Sequence, residues 1–169
     1  VLFRSLFRTR IAPMIYPEAR LLVDAHKRRG HTVAMASSAL PFQTSAAAAD
    51  LGIDHVLCTQ MDSLNGVLTG MVSGPILWGE AKATAVKEFA AEQGIDLAES
   101  FAYGNGGEDV PYLETCGNPR PLNPTDSLIS AARERDWPTA RLSKPQKVTP
   151  ELVVRSAAAY AGRSEEHTS

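Results

Sequence analysis

The thirteen residues from Phe101 to Leu113 (FAYGNGGEDVPYL) constrain this chain more than any other stretch. The apolar run Phe101, Ala102, Tyr103 ends in Gly104, Asn105, Gly106 and Gly107, and Glu108 and Asp109 then lead into Val110, Pro111, Tyr112 and Leu113. That pattern predicts a buried strand, a tight glycine turn and a following helix. In open α/β sheets, ligands bind at the carboxyl ends of the strands. Glycines there let the backbone approach a phosphate or a metal, and Asp109 at the start of the next helix is held over such a site. A plainer reading makes Asp109 the helix cap. The stretch alone leaves both readings open.

The rest of the chain supplies the context. Residues Leu6 to Met14 read as the end of a helix. Pro17 opens a helix through Arg29 with Ala19, Leu22, Val23 and His26 on one face, closed by Gly30. His31 to Ala36 is a short, mostly apolar strand suited to a parallel sheet buried on both faces, and it ends in Ser37 and Ser38. A helix follows from about Pro41 to Leu51, stopped by Gly52, and His55 to Thr59 is the next strand. Asn65-Gly66 is a strong hairpin-turn signal, so Asp62 to Val72 forms a small antiparallel excursion. Gly79 to Gln93 is amphipathic, with Ala85, Val86, Phe89 and Ala90 inward and Gly94 closing it. After the organising stretch come a strand at Arg120 to Asn123, a helix from Asp126 to Asp136 and a last strand from Thr139 to Leu142. Strands alternating with helices at this spacing predict an α/β fold, a doubly wound, Rossmann-like parallel sheet with a β-hairpin insertion.

Composition excludes several functions. Net charge is -2, so no basic surplus points to nucleic acid. No apolar run approaches the roughly 18 residues that span a bilayer. Cys58 and Cys116 stand apart without a CxxC pair, which reads as two buried thiols in a reducing cytoplasm. His26, His31 and His55 lack metal-ligand spacing and read as structural. GNGGED does not match G-x-G-x-x-G, which argues against a dinucleotide site.

Ser37 after HTVAMA, Lys82 in GEAKATAV and the segment Gly104 to Asp109 occur in the order of motifs two, three and four of the haloacid dehalogenase superfamily. With the LNGVLTG hairpin and GNPRPLNP, residues Pro13 to Leu142 resemble its phosphoserine-phosphatase-like branch, subfamily IB. The resemblance implies a magnesium-dependent phosphomonoester hydrolase acting on a small phosphorylated metabolite through an aspartyl phosphate. It implies that Ser37, with Ser38 beside it, hydrogen-bonds a phosphate oxygen, and that Lys82 neutralises phosphate and nucleophile. Asn105 and Asp109 fall at the metal-binding positions of motif four. Phosphate oxygens and carboxylates crowd together only with cations between them.

The sequence departs from that pattern twice. No Asp-x-Asp string, the nucleophile motif, occurs in it, and position 105 is Asn, a poorer ligand for a hard cation than Asp. The resemblance implies that motif one, the helical cap after it and the central strand lie upstream of Leu6. The sheet is then incomplete at its N-terminal side, and the chain by itself is expected to fold poorly and to lack phosphatase activity. Val1 to Ser5 (VLFRS) and Arg163 to Ser169 (RSEEHTS) look like translated sequencing-adapter DNA. The expected organisation is therefore adapter-derived 1–5, a partial core over 6–143, a linker and helix over 144–162, and adapter-derived 163–169. Lys144 to Gly162 is similar to the junction that precedes a fused lysophospholipid acyltransferase in some members of this branch.

Simpler readings stand beside these. Ser37 and Ser38 also suit the cap of the next helix, and Lys82 suits a solvated face with Glu80 and Lys87. A non-catalytic phosphate-binding or scaffolding domain is the alternative that Asn105 favours.

Overall fold

The computed structural model describes residues 5–143. The linker and helix read over 144–162, and the end segments 1–4 and 163–169, lie outside the described residues. A wide helical turn at Phe7–Ile11 and a tighter one at Ala12–Met14 lead into helix α1, Pro17–Arg28. Pro17 sits in its first turn, where the missing N–H costs nothing. The remaining elements are β1 (Ala34–Ser37), α2 (Pro41–Leu51), β2 (His55–Cys58), β3 (Gln60–Leu64), β4 (Val67–Ser73), α3 (Glu80–Gln93), β5 (Phe101–Gly104), α4 (Val110–Leu113), β6 (Asn118–Pro121) and α5 (Asp126–Glu134).

The described strands form two parallel pairs and one antiparallel pair, not one continuous sheet. Strands β1 and β2 run parallel with Ser37 opposite Cys58, joined through α2, which packs on both. Strands β5 and β6 run parallel with Gly104 opposite Pro121. The hairpin β3–β4 turns at Asn65 (φ 51°) and Gly66 (φ 79°), the left-handed pair that the Asn-Gly dipeptide accommodates.

Boundaries shift where pairing decides them. Strand β1 begins at Ala34 rather than His31, because its first partner is His55. The expected strand Thr139 to Leu142 is reduced to one bridge, Leu122 to Ala140. Asn123 stops the ladder there: its φ is 46°, its N–H donates to the Ala140 carbonyl, and its side-chain oxygen takes the Leu142 N–H at 2.8 Å. Helix α5 closes at Glu134, two residues early, as Asp136 adopts φ 53°.

The principal core gathers Ala102, Leu113, Cys116 and Leu128, with Leu97, Val110, Tyr112 and Trp137 against it. It takes Ala102 and Leu113 from the Phe101 to Leu113 stretch and so anchors both ends of the loop between them. Helix α1 is held to α2 by the Arg20–Asp50 ion pair and by Lys27 Nζ donating to the Gly52 carbonyl at 2.6 Å. Both cysteines are free and buried, as expected. Among the described residues no helix is long and apolar enough to cross a membrane.

Candidate active site

The site is built on the carboxyl end of β5. Its last residue, Gly104, lies against Asp109: a Cβ there would stand 2.8 Å from the Asp109 Cβ and Oδ2. Glycine is thus required by close approach, its φ being unremarkable. The chain then passes through a tight turn at Gly107–Asp109 into the one-turn helix α4. Asp109 folds back over the loop, and its Oδ2 accepts the backbone N–H of Asn105 at 3.0 Å and of Gly106 at 3.3 Å. Its Oδ1 accepts from Lys82 Nζ at 2.6 Å.

Lys82 reaches it from the first turns of α3, which packs on both α4 and β1. Lys82 is 9% exposed and Asp109 4%, so the pair is nearly dry. That burial rules out the solvated-face reading of Lys82. A buried ion pair is held by geometry and added hydrogen bonds rather than by screening water. Asp109 has both, and its two backbone donors fix the carboxylate so that the ammonium meets it from one side. Tyr112 closes the back: its ring centroid lies 5.9 Å from Lys82 Nζ, and its hydroxyl takes the Tyr103 N–H at 3.2 Å. Burial pushes the Tyr112 hydroxyl pKa well up, so it stays protonated.

Ser37 ends β1, and its Oγ accepts the Ala39 N–H at 3.1 Å in a local turn; it does not cap α2, whose N-cap position is Leu40. The Ser38 carbonyl is held by the Thr59 hydroxyl at 2.9 Å, and Thr59 Oγ1 in turn accepts the Leu77 N–H at 3.1 Å. Thr59, 1% exposed, therefore fastens the Ser37–Ser38 loop to the segment before α3. In the sequence Thr59 is only the end of a strand, and a polar residue closing an apolar parallel strand is the one signal of this role. The structure thus brings Lys82, Asp109 and the Asn105 backbone together, while Ser37 and Ser38 make their hydrogen bonds elsewhere, at the end of β1.

The residues present do not by themselves fit a magnesium ion. Both Asp109 oxygens are engaged, the exposed Asn105 carries no charge, and the described residues contain no group of three or more His, Cys, Asp or Glu able to hold a metal. A hard dication needs several oxygen ligands, among them carboxylates.

Parallel strands ending in short loops, with a dry Lys82–Asp109 pair and a carboxylate packed on Gly104, make up an α/β site at the carboxyl ends of strands. A family model for haloacid dehalogenase-like hydrolases matches residues 2–114, and the chain belongs to that family. It is 34% identical over 151 residues to a probable phosphatase of Mycobacterium tuberculosis, covering 89% of this chain and 52% of the relative. To a phosphoserine phosphatase of the same organism it is 37% identical over 128 residues, covering 75% of this chain and 41% of that one. A protein of unknown function from Bordetella pertussis has a similar structure, with TM-score 0.76 at 28% identity over 82% of this chain and 63% of that chain. The chain spans about half the length, or less, of these curated relatives.

Proposed function

We propose that the protein to which this chain belongs is a phosphomonoester hydrolase acting on a small phosphorylated metabolite. The observation that carries the reading is the buried Lys82–Asp109 pair at 2.6 Å beside the Gly104 loop. In a dry site a fixed ammonium stabilises charge developing on a transferring phosphoryl group far better than it would in water. Asp109 holds Lys82 in place before substrate arrives, so that little reorganisation remains when the phosphate enters. The Ser37 hydroxyl, free to turn from its local bond, donates to a phosphate oxygen, and Ser38 lines the same loop.

Magnesium belongs to this reading only with carboxylates in addition to Asp109, and an Asp-x-Asp motif would supply them. The sequence contains no such motif, so this chain alone forms no aspartyl phosphate of that kind and is expected to be inactive. A reducing cytoplasm suits the two free thiols, and a C-terminal acyltransferase partner domain rests on the likeness of Lys144 to Gly162 alone. Asn105 supports a second reading, a phosphate-binding domain without turnover, because the uncharged amide weakens the metal position.

The test is turnover of a chromogenic phosphate ester, with magnesium, by a longer version that carries an Asp-x-Asp motif. Lys82→Ala and Asp109→Asn should each lower kcat about 100-fold or more, the scale seen when one preorganised charge-stabilising group is removed. Wild-type rates in both variants would remove the pair from the site. A longer protein that binds phosphate without turnover would favour the second reading.

A further inference from the structure

A cluster outside this site ties α1 to β5. His26, on the inner face of α1, places its Nδ1 2.9 Å from the Nδ1 of His31 and its Nε2 2.7 Å from the Tyr103 hydroxyl. The two imidazole centroids are 5.1 Å apart, and His26 also meets Phe101 edge-on at 5.2 Å. Two ring nitrogens at 2.9 Å share one hydrogen and no more. With both rings neutral, the Tyr103 hydroxyl donates to His26 Nε2 and His26 Nδ1–H donates to His31 Nδ1, or the whole chain of bonds runs the other way. One added proton is still accommodated, because a doubly protonated His26 donates to both neighbours. A second proton sets two N–H groups head to head and two like charges about a ring's width apart.

We propose that His26, His31 and Tyr103 form a proton-limited latch: the His26–His31 contact at the end of α1 holds while the two imidazoles carry at most one proton and breaks when they carry two, which loosens the His26 ring that ties α1 to Tyr103 of β5. The groups around the pair reinforce this. Arg29 at the end of α1 acts on His26 and on Tyr103, and Arg120 of β6 acts on Tyr103 and lies 5.8 Å over the Phe101 ring. Of these cations, Arg29 opposes protonation of His26. Desolvation first, then His31 and Arg29, hold the His26 pKa below the ordinary histidine value. A histidine depressed in the folded state is protonated more readily when released. Its contribution is therefore intact above the ordinary histidine range and is lost as pH falls below it.

The test is an NMR titration of the histidine Cε1–H resonances in the full 169-residue chain, with amide exchange recorded at each pH. The latch predicts two separated steps shared by His26 and His31, with exchange in α1 rising more than tenfold across the lower one. In His31→Ala the lower step should vanish, His26 should titrate once, and α1 should stay protected to lower pH. Tyr103→Phe should retain the two steps but weaken protection of α1 at every pH. Independent single steps for His26 and His31 in the unmutated chain, or α1 exchange that ignores the lower step, would overturn the proposal.

Discussion

Strand β5 carries Ala102 at 0% exposure, with Leu113 and Leu128 equally sealed against it, whereas β1 and β2 are half-buried along most of their length and reach full burial only at Cys58. Both are parallel pairs whose first strand ends in a loop of candidate phosphate-handling residues. What differs is the cover. The β5–β6 pair lies under α5 and α4 and closes a core of its own. The β1–β2 pair has α2 on both strands and α3 against it but no buried cluster of its own among the described residues, and there neither β1 nor β5 is hydrogen-bonded to a strand on its other edge. Parallel strands are stable when both faces and both edges are occupied. Local sequence makes each pair; neighbours decide how firmly it is held.

The largest expected effect breaks the tie between the two halves. Lys82 stands on α3, which packs against β1, and its partner Asp109 belongs to the β5 loop. Removing one member of a buried pair leaves an uncompensated charge and costs about 3–5 kcal/mol. Lys82→Met is therefore expected to shift the urea midpoint far more than the exposed control Lys87→Met. Equal shifts would show that the pair does not join the halves.

A medium effect sharpens the contrast. Leu113→Ala should cost about 2–5 kcal/mol, as for a fully buried leucine, and Leu57→Ala in β2 only about 1, since its side chain is half-buried. Denaturant unfolding of the two variants measures this, and amide exchange should be faster in β1 than in β5. A Leu57 variant as costly as the Leu113 variant would mean that the β1–β2 half is packed as tightly as the other.

Much of this arrangement was legible in the sequence because it is local. The Asn65-Gly66 turn, the helix starts at Pro17 and Pro41, and the strand–turn–helix at Phe101 to Leu113 each follow from residue types within a few positions. The resemblance marks Lys82 for phosphate and Asp109 for metal, but not their mutual ion pair, since they lie 27 positions apart and no periodicity connects them. Tyr103 and His26 lie 77 positions apart, and His26 alone looks like any helix-face histidine. The strand at Thr139 to Leu142 failed for a related reason: its apolar content is ordinary, but a single left-handed Asn123 in the partner segment ended the ladder.

The smallest effect concerns position 105, in the loop after β5, where charge rather than packing is at stake. The Asn105 side chain is exposed, while its backbone N–H donates to Asp109 and its carbonyl accepts from Thr125 at 2.9 Å. Substituting Asp therefore leaves those bonds in place and should change stability by no more than about 0.5 kcal/mol, the usual range for a surface position. It adds a second carboxylate beside Asp109, whose charge Lys82 already offsets, and so gives a hard cation a reason to enter the loop. In a longer version bearing an Asp-x-Asp motif, Asn105→Asp is expected to lower the magnesium concentration for half-maximal turnover several-fold. An unchanged metal dependence would mean that this loop does not hold the ion through residue 105, and the non-catalytic reading would lose the observation that favours it.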